Sequence, residues 1–166
     1  MSRRLTDLAG PNIDAEELLG AVLETAAQPL CVFDHDGVIR FVNPAAVAAL
    51  GYDEADELLG RQSHEAIHER HSDGSPSGAG ECPMLRPQTT GETVHCELDW
   101  FFRRSGSMLA VSYVSAPIAM PEGCGAVVAF TDIQDRLHAQ QQASLRRVAA
   151  IVAEGSASAE VESVSG

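Results

Sequence analysis

The sequence predicts an α+β fold, because two short strands and several short helices precede three longer strands. One sign is a hairpin, since two apolar runs flank an Asp-Gly turn at residues 34–37. Another is the alternation of apolar and polar residues over Thr93–Arg103, which is typical of a strand. The near-continuous apolar run Ala126–Phe130 indicates a further strand, buried on both faces.

Composition limits the possible functions. The chain has 166 residues, enough for one domain plus extensions, and a formal net charge of −13. That charge argues against nucleic-acid binding through a basic surface and against binding to an anionic membrane. All basic residues are Arg, which together with the many Ala residues indicates a GC-rich bacterial genome. Four scattered cysteines and no apolar leader after Met1 lead us to expect a cytoplasmic protein with reduced thiols.

Helices are predicted near both ends of the chain. Over residues 14–27, apolar residues have helical spacing and Asp14 suits the N-cap. Over residues 135–155, apolar residues fall near one stripe of an exit helix. Residues 1–13 are expected to be flexible, and the Ser/Ala/Glu-rich residues 156–166 are expected to form a disordered tail.

The hairpin strands, 30–33 and 38–42, lead directly into a short helix. Asn43 ends the second strand and suits a helix cap, and Pro44 suits the first turn of a helix that ends near Leu50. This order of strand, Asp-Gly turn, strand, Asn cap and short helix resembles the opening of the PAS sensor domain.

Short helices and three long strands are predicted in the rest of the chain. The helices are predicted at 53–60, 63–70 and 82–90, and a Gly-rich loop at 72–80 connects the last two. The strands lie at Thr93–Arg103, Met108–Ile118, with a break at Pro117, and Gly123–Thr131.

The resemblance to the PAS family continues through these strands. Asp99–Ser107 resembles the strand–turn–strand segment of the family, and Ser115–Ile118 and Gly125–Ile133 resemble its closing strands. The resemblance implies a PAS domain at 28–134, with a five-stranded antiparallel sheet, short helices on one face and a ligand cavity between them. It also implies that Asp132 joins the last strand to the exit helix and relays the signal.

The segment His64-Glu65-Ala66-Ile67-His68 matches the zinc-peptidase pattern H-E-x-x-H. Such an enzyme needs both histidines on one helical face and Glu65 as the general base. A metal-dependent hydrolase is therefore an alternative function. A short helix within a sensor-like domain is the wrong context for a peptidase, so we predict that the chain is not an enzyme.

A wider metal site is predicted from His64, His68, His71 and Cys82. Residues at i, i+4 and i+7 share one face of a helix, and a cysteine after a flexible loop can close a tetrahedral site. Three imidazoles and one thiolate suit zinc or iron. The other interpretation is a set of solvated histidines and a buried cysteine that caps the next helix.

Haem is a further cofactor to consider, because haem-binding PAS domains place a proximal His near the end of this helix, followed by an acidic residue. His71 and Asp73 lie close to that pattern, so a haem-based gas or redox sensor is another alternative.

Trp100 is expected in the core or on the sheet face, and the lesser interpretation is that it lines a ligand pocket. Flavin is not expected, because Gly60–His64 stands where the flavin-binding branch of the family carries its reactive cysteine and contains no Cys.

The resemblance therefore implies a sensory PAS module. A small ligand or a partner would act on the sheet, and the exit helix would carry the change to an output domain. That output would be a histidine kinase, a serine phosphatase or a transcription regulator outside this chain. Apolar stripes on both terminal helices predict a homodimer. Neither a nucleic acid nor a membrane is an expected partner.

Overall fold

The computed structural model describes residues 13–71, 73–76 and 78–163. The predicted flexible segment 1–13 lies almost wholly outside the described residues. The chain divides into two compact units, with the boundary after Asp132. The helices are α1 (Ala15–Thr25), α2 (Pro44–Ala49), α3 (Ser63–Ile67), α4 (Arg86–Thr90) and α5 (Gln134–Ser163). The strands are β1 (Leu30–Phe33), β2 (Ile39–Val42), β3 (Val94–Phe102), β4 (Met108–Met120) and β5 (Gly123–Asp132).

The strands form one five-stranded sheet in the order β2-β1-β5-β4-β3. All neighbours are antiparallel, and β5 lies at the centre between β1 and β4. In register, Cys31 is opposite Val128 and Tyr113 is opposite Phe130. The α+β class and the five-stranded antiparallel sheet that the resemblance implies are confirmed.

One hydrophobic core joins the inner face of this sheet to the short helices. Phe101 stacks on Tyr113 and meets Phe130 edge-on, with ring centroids 5.6 and 5.3 Å apart. Each fully buried side chain of this size contributes roughly 1.5–3 kcal/mol. The largest such apolar side chains are Phe33, Ile39, Leu50, Leu58, Ile67, Met84, Phe101, Leu109, Val111, Val128 and Phe130.

Asn43 fixes the hairpin to the first short helix. Its Oδ1 accepts hydrogen bonds from the backbone N–H of Leu30 at 2.9 Å and of Ala46 at 3.0 Å. Its Nδ2 donates to the carbonyl of Gln28 at 2.8 Å. The predicted helix cap is confirmed, and the same side chain also joins β1 to α2.

A bulge in β3 changes which side chains face the core. Between Cys96 and Asp99, β3 advances three residues while β4 advances two. An extra residue exchanges the faces of all that follow it. Phe101 is therefore buried, and Trp100 lies half-buried on the outer face of the sheet. The predicted alternation, which placed Trp100 on the same face as Cys96, is wrong beyond the bulge.

β4 runs without interruption past Pro117, where the sequence predicted a break. Pro117 is opposite Ala126 in the ladder with β5. Pairing with β3 reaches only as far as Ser115. Beyond Ser115 one side of β4 therefore carries no ladder, and a proline without an N–H is tolerated there.

The second unit consists mainly of α5, a helix of 30 residues. It continues to Ser163, although the sequence predicted a disordered tail from residue 156, and residues 164–166 lie outside the described part. Ala and Glu are good helix formers, so this composition prolongs a helix once it has begun. Four apolar residues of α5 are 58–68% exposed: Leu145, Val148, Ile151 and Val152. Among the described helices, none combines the length and apolar content needed to cross a membrane.

Candidate functional site

Three of the four predicted metal ligands meet in the interior. His64, His68 and Cys82 each offer a ligand atom, and these atoms lie within 4.8 Å of one another. The exposed fractions of the three residues are 6%, 5% and 1%. His71 lies outside this group. It is exposed, and its backbone N–H donates to the carbonyl of Ser75 at 2.8 Å in a turn.

The extent of α3 explains why His71 is excluded. The helix ends at Ile67, and His68 is its C-cap, with a backbone N–H that donates to the carbonyl of His64 at 2.9 Å. His64 and His68 therefore share one face, and their rings meet edge-on with centroids 5.9 Å apart. The predicted i+7 position does not exist, because the helix predicted to reach residue 70 is shorter.

Cys82 reaches the two histidines from the far end of the Gly-rich loop. It precedes a 3₁₀ turn at Pro83–Leu85, and its carbonyl accepts a hydrogen bond from the N–H of Leu85 at 3.1 Å. Proline suits the first turn of such an element, so the local sequence fixes the start of the turn at Cys82, which is buried in the core.

His68 lies between a thiol and a carboxylate. Its Nδ1 is 3.2 Å from Sγ of Cys82, and its Nε2 is 3.0 Å from Oδ1 of Asp99. An ionised carboxylate only accepts, so Nε2 carries a hydrogen and donates it to Asp99. The backbone N–H of Trp100 donates to the same Oδ1 at 2.8 Å, and the hydroxyl of Tyr113 donates to Oδ2 at 3.2 Å.

The hydrogen bonds among Cys82, His68, Asp99 and Tyr113 favour the protonated form of His68 and the ionised form of Asp99. Burial by itself lowers the pKa of His68, but hydrogen bonds to Asp99 and Cys82 outweigh it and raise that pKa to about 9. Burial by itself raises the pKa of Asp99, but bonds from His68, Trp100 and Tyr113 bring it below its usual value. Burial raises the pKa of Tyr113, so its hydroxyl remains a donor.

Sequence reasoning missed Asp99 and Tyr113. The regular alternation of β3 assigned Asp99 to the face opposite Cys96, and only the bulge turns it toward His68. One signal was available. Aspartate is depleted in strand interiors, so an Asp directly before the apolar run Trp100–Phe102 is a position at which to look for a local partner.

Comparison with known proteins decides the family. A sequence-family profile described as PAS fold matches residues 17–133. The chain belongs to the PAS family. Among curated proteins, no sequence relative matches it.

Three solved domains, two of them PAS domains, share this fold. One is the PAS domain of nitrogen regulation protein NR(II) from Vibrio parahaemolyticus, 18% identical with a TM-score of 0.57, covering 70% of this chain and 98% of that chain. Another is the PAS domain of an HTR-like protein from Haloarcula marismortui, 24% identical with a TM-score of 0.54, covering 71% and 91%. A third is a domain of a sensory box sensor histidine kinase/response regulator from Geobacter sulfurreducens, 26% identical with a TM-score of 0.52, covering 69% and 91%.

The H-E-x-x-H segment of this PAS domain does not assemble a peptidase centre. Both histidines are buried, whereas Glu65 is exposed and lines a separate groove with Tyr52 and Arg61. A general base must lie within hydrogen-bond reach of the water that it activates. Glu65 does not join His64 and His68, so the geometry does not favour the hydrolase alternative.

An aromatic side chain packs against His68 on the side of the sheet. The ring of Phe101 lies edge-on to His68, with centroids 5.9 Å apart, and Phe101 itself is 1% exposed. A shallow cavity of about 220 Å³ lies on the outer face of the sheet, where Gln28, Ser112 and Thr131 contribute to its lining.

The two imidazoles and one thiol of this cluster lie close enough together to act as ligands of one metal ion. Thiolate and imidazole nitrogen are the ligands that Zn²⁺ prefers in proteins. Asp99 lies on the far side of the His68 ring from Cys82, so it orients the ring instead of acting as a further ligand.

Proposed function

We propose that this PAS domain is a sensory module whose C-terminal helix relays a signal to an output domain. The observation that carries the proposal is the direct passage from the central strand into a long helix. Only Ile133 separates the end of β5 from the start of α5. A change in the sheet therefore reaches the helix through a single residue of backbone.

The charged groups at this junction support a relay. Asp132 is the last residue of β5, and its Oδ2 lies 3.8 Å from Nη2 of Arg103. Nε of Arg103 also donates to the carbonyl of Ala49 at 3.2 Å. Through Arg103, the residue that follows β3, Asp132 is thereby connected to the last residue of α2. A ligand or a partner acting on the core would alter the position of the junction.

The output is proposed to be a kinase-like effector, of the class represented by the Geobacter sulfurreducens sensor histidine kinase/response regulator from which a similar domain was solved. A serine phosphatase or a transcription regulator would receive the same helical signal. The apolar stripe of α5 is proposed to pair with the same stripe of a second copy, because exposed apolar residues at helical spacing are buried in coiled coils.

The test joins the full chain, through α5, to the catalytic core of a histidine kinase, keeping the helical register. We expect Asp132→Ala to change the autophosphorylation rate, because it removes the ionic contact at the junction. Glu122→Ala serves as the control, since Glu122 is exposed in the turn between β4 and β5. Equal rates in the Asp132→Ala and unmodified fusions would contradict the proposal.

A further inference from the structure

We propose that His64, His68 and Cys82 bind one Zn²⁺ ion inside this domain. The three ligand atoms lie within 4.8 Å of one another, and all three residues are buried. The proposal goes beyond the relay through α5 and does not rest on it.

The donor set selects the class of metal. Two imidazole nitrogens and one thiolate suit Zn²⁺, whereas Mg²⁺ and Ca²⁺ require oxygen ligands. None of the three residues supplies a carboxylate or carbonyl oxygen from its side chain. Three protein ligands leave one position of a tetrahedron for water or for an exogenous ligand, as in zinc sites that react or exchange ligands.

Asp99 supplies a second, independent observation. A histidine that binds a metal usually donates its other ring N–H to a carboxylate, which fixes the orientation of the ring. His68 has this arrangement already: Nε2 donates to Asp99 at 3.0 Å, and Nδ1 is directed at Cys82. Asp99 is itself held by the backbone N–H of Trp100 and the hydroxyl of Tyr113. Asp99 is thus assigned as a positioning residue for the metal.

The site would add a direct connection between α3 and the segment that follows the Gly-rich loop. His64 and His68 come from α3, and Cys82 comes from beyond a loop with three glycines at 74, 78 and 80. Asp99 and Tyr113 come from β3 and β4. Metal removal is therefore expected to loosen the segment between His68 and Cys82 and to leave the strands folded, because Ile67 and Met84, which flank that segment, are packed in the hydrophobic core.

The experiment uses the full chain, freed of metal by a chelator and titrated with Co²⁺ and then Zn²⁺. We expect one equivalent of Co²⁺ to bind, with the near-ultraviolet absorption of a thiolate–cobalt bond, and Zn²⁺ to displace it. Cys82→Ser should lose the thiolate band, and His68→Ala should lose stoichiometric binding. Two matched controls, Cys124→Ser and His71→Ala, should bind as the unmodified chain does, because neither residue belongs to the cluster.

Asp99→Asn keeps all three ligands and tests the site if a ligand variant fails to fold. It should retain the thiolate band while its affinity falls about 10–100-fold. The proposal is overturned if the unmodified chain binds less than stoichiometric metal, if the band survives Cys82→Ser, or if Asp99→Asn leaves the affinity unchanged. Metal binding is measured without a kinase core, so its failure is distinguishable from a failure of the relay.

Discussion

Nε2 of His68 donates a 3.0 Å hydrogen bond to Oδ1 of Asp99, 31 positions further along the chain. This contact joins the end of α3 to the middle of β3, and it exists because a bulge turns Asp99 inward. The helical segment and the sheet are thereby connected by a polar link inside the domain.

Replacing Asp99 by Ala should destabilise the metal-free protein by about 2–3 kcal/mol, because His68 and Tyr113 would lose a charged hydrogen-bond partner. Urea unfolding in the presence of a chelator measures this change. Glu97→Gln is the matched control, since Glu97 is exposed on the same strand and such changes usually stay within about 0.5 kcal/mol. Similar unfolding free energies for Asp99→Ala and Glu97→Gln would contradict the structural role of the link.

Asn43→Ala should cost about 2–3 kcal/mol, because it removes a helix cap and leaves the partly buried N–H of Leu30 without its side-chain acceptor. Chemical denaturation at neutral pH measures the loss. Asn43→Ser keeps a hydroxyl that can cap α2, so it should recover part of the difference. If the Ala and Ser variants unfold at the same denaturant concentration, the capping contribution is negligible.

Acid should destabilise the domain partly through Asp34. Burial by itself raises the pKa of this carboxyl, but backbone N–H groups of Val38 and Asp36 and the guanidinium of Arg40 lower it overall. A lowered folded-state pKa means that the contribution is present above the unfolded value of about 3.9 and is lost as pH falls through the folded one.

Asp34→Asn should therefore show a smaller loss of unfolding free energy on acidification than the unmodified chain. The measurement is a series of urea titrations from neutral pH down to about pH 3, below the unfolded-state value. Asp56→Asn, at an exposed position, should follow the unmodified chain. Parallel curves for Asp34→Asn and the unmodified chain would rule out this role of Asp34.

Most of the sheet follows from local sequence rules. The Asp-Gly turn, the cap at Asn43 and the period-2 patterns specify their elements by short-range chemistry alone. The sequence also predicted that His64, His68 and Cys82 lie together, because the helical spacing places the two histidines on one face and a flexible loop lets the cysteine reach them. Asp99 could not be placed, because a bulge depends on how two strands pair and leaves little trace in one of them.

The remaining differences have similar origins. The helix predicted over 63–70 ends at Ile67, and that removes His71 from the cluster. β4 does not break at Pro117, because its pairing with β3 reaches only as far as Ser115 and the proline interrupts no ladder on that side. Both depend on tertiary surroundings that a local pattern does not contain.

The proposed dimer is tested by substitutions in the apolar stripe of α5. Leu145 is 64% exposed, and burying it against a second copy would stabilise the pair. Leu145→Glu should therefore convert a dimer into a monomer in analytical ultracentrifugation at micromolar concentration. Ala150→Glu introduces the same residue on the opposite face of the helix, so it should remain a dimer. A monomeric unmodified chain would contradict the proposed pairing.

The relay through α5 is tested most directly by amide hydrogen exchange on the full chain with Asp132→Ala. Loss of the contact with Arg103 should increase exchange in the first turns of α5, while β4 and β5 keep their protection. Glu122→Ala, the exposed control, should leave both regions as they are. Unchanged exchange throughout α5 in Asp132→Ala would contradict the claim that this junction connects the PAS sheet to its helix.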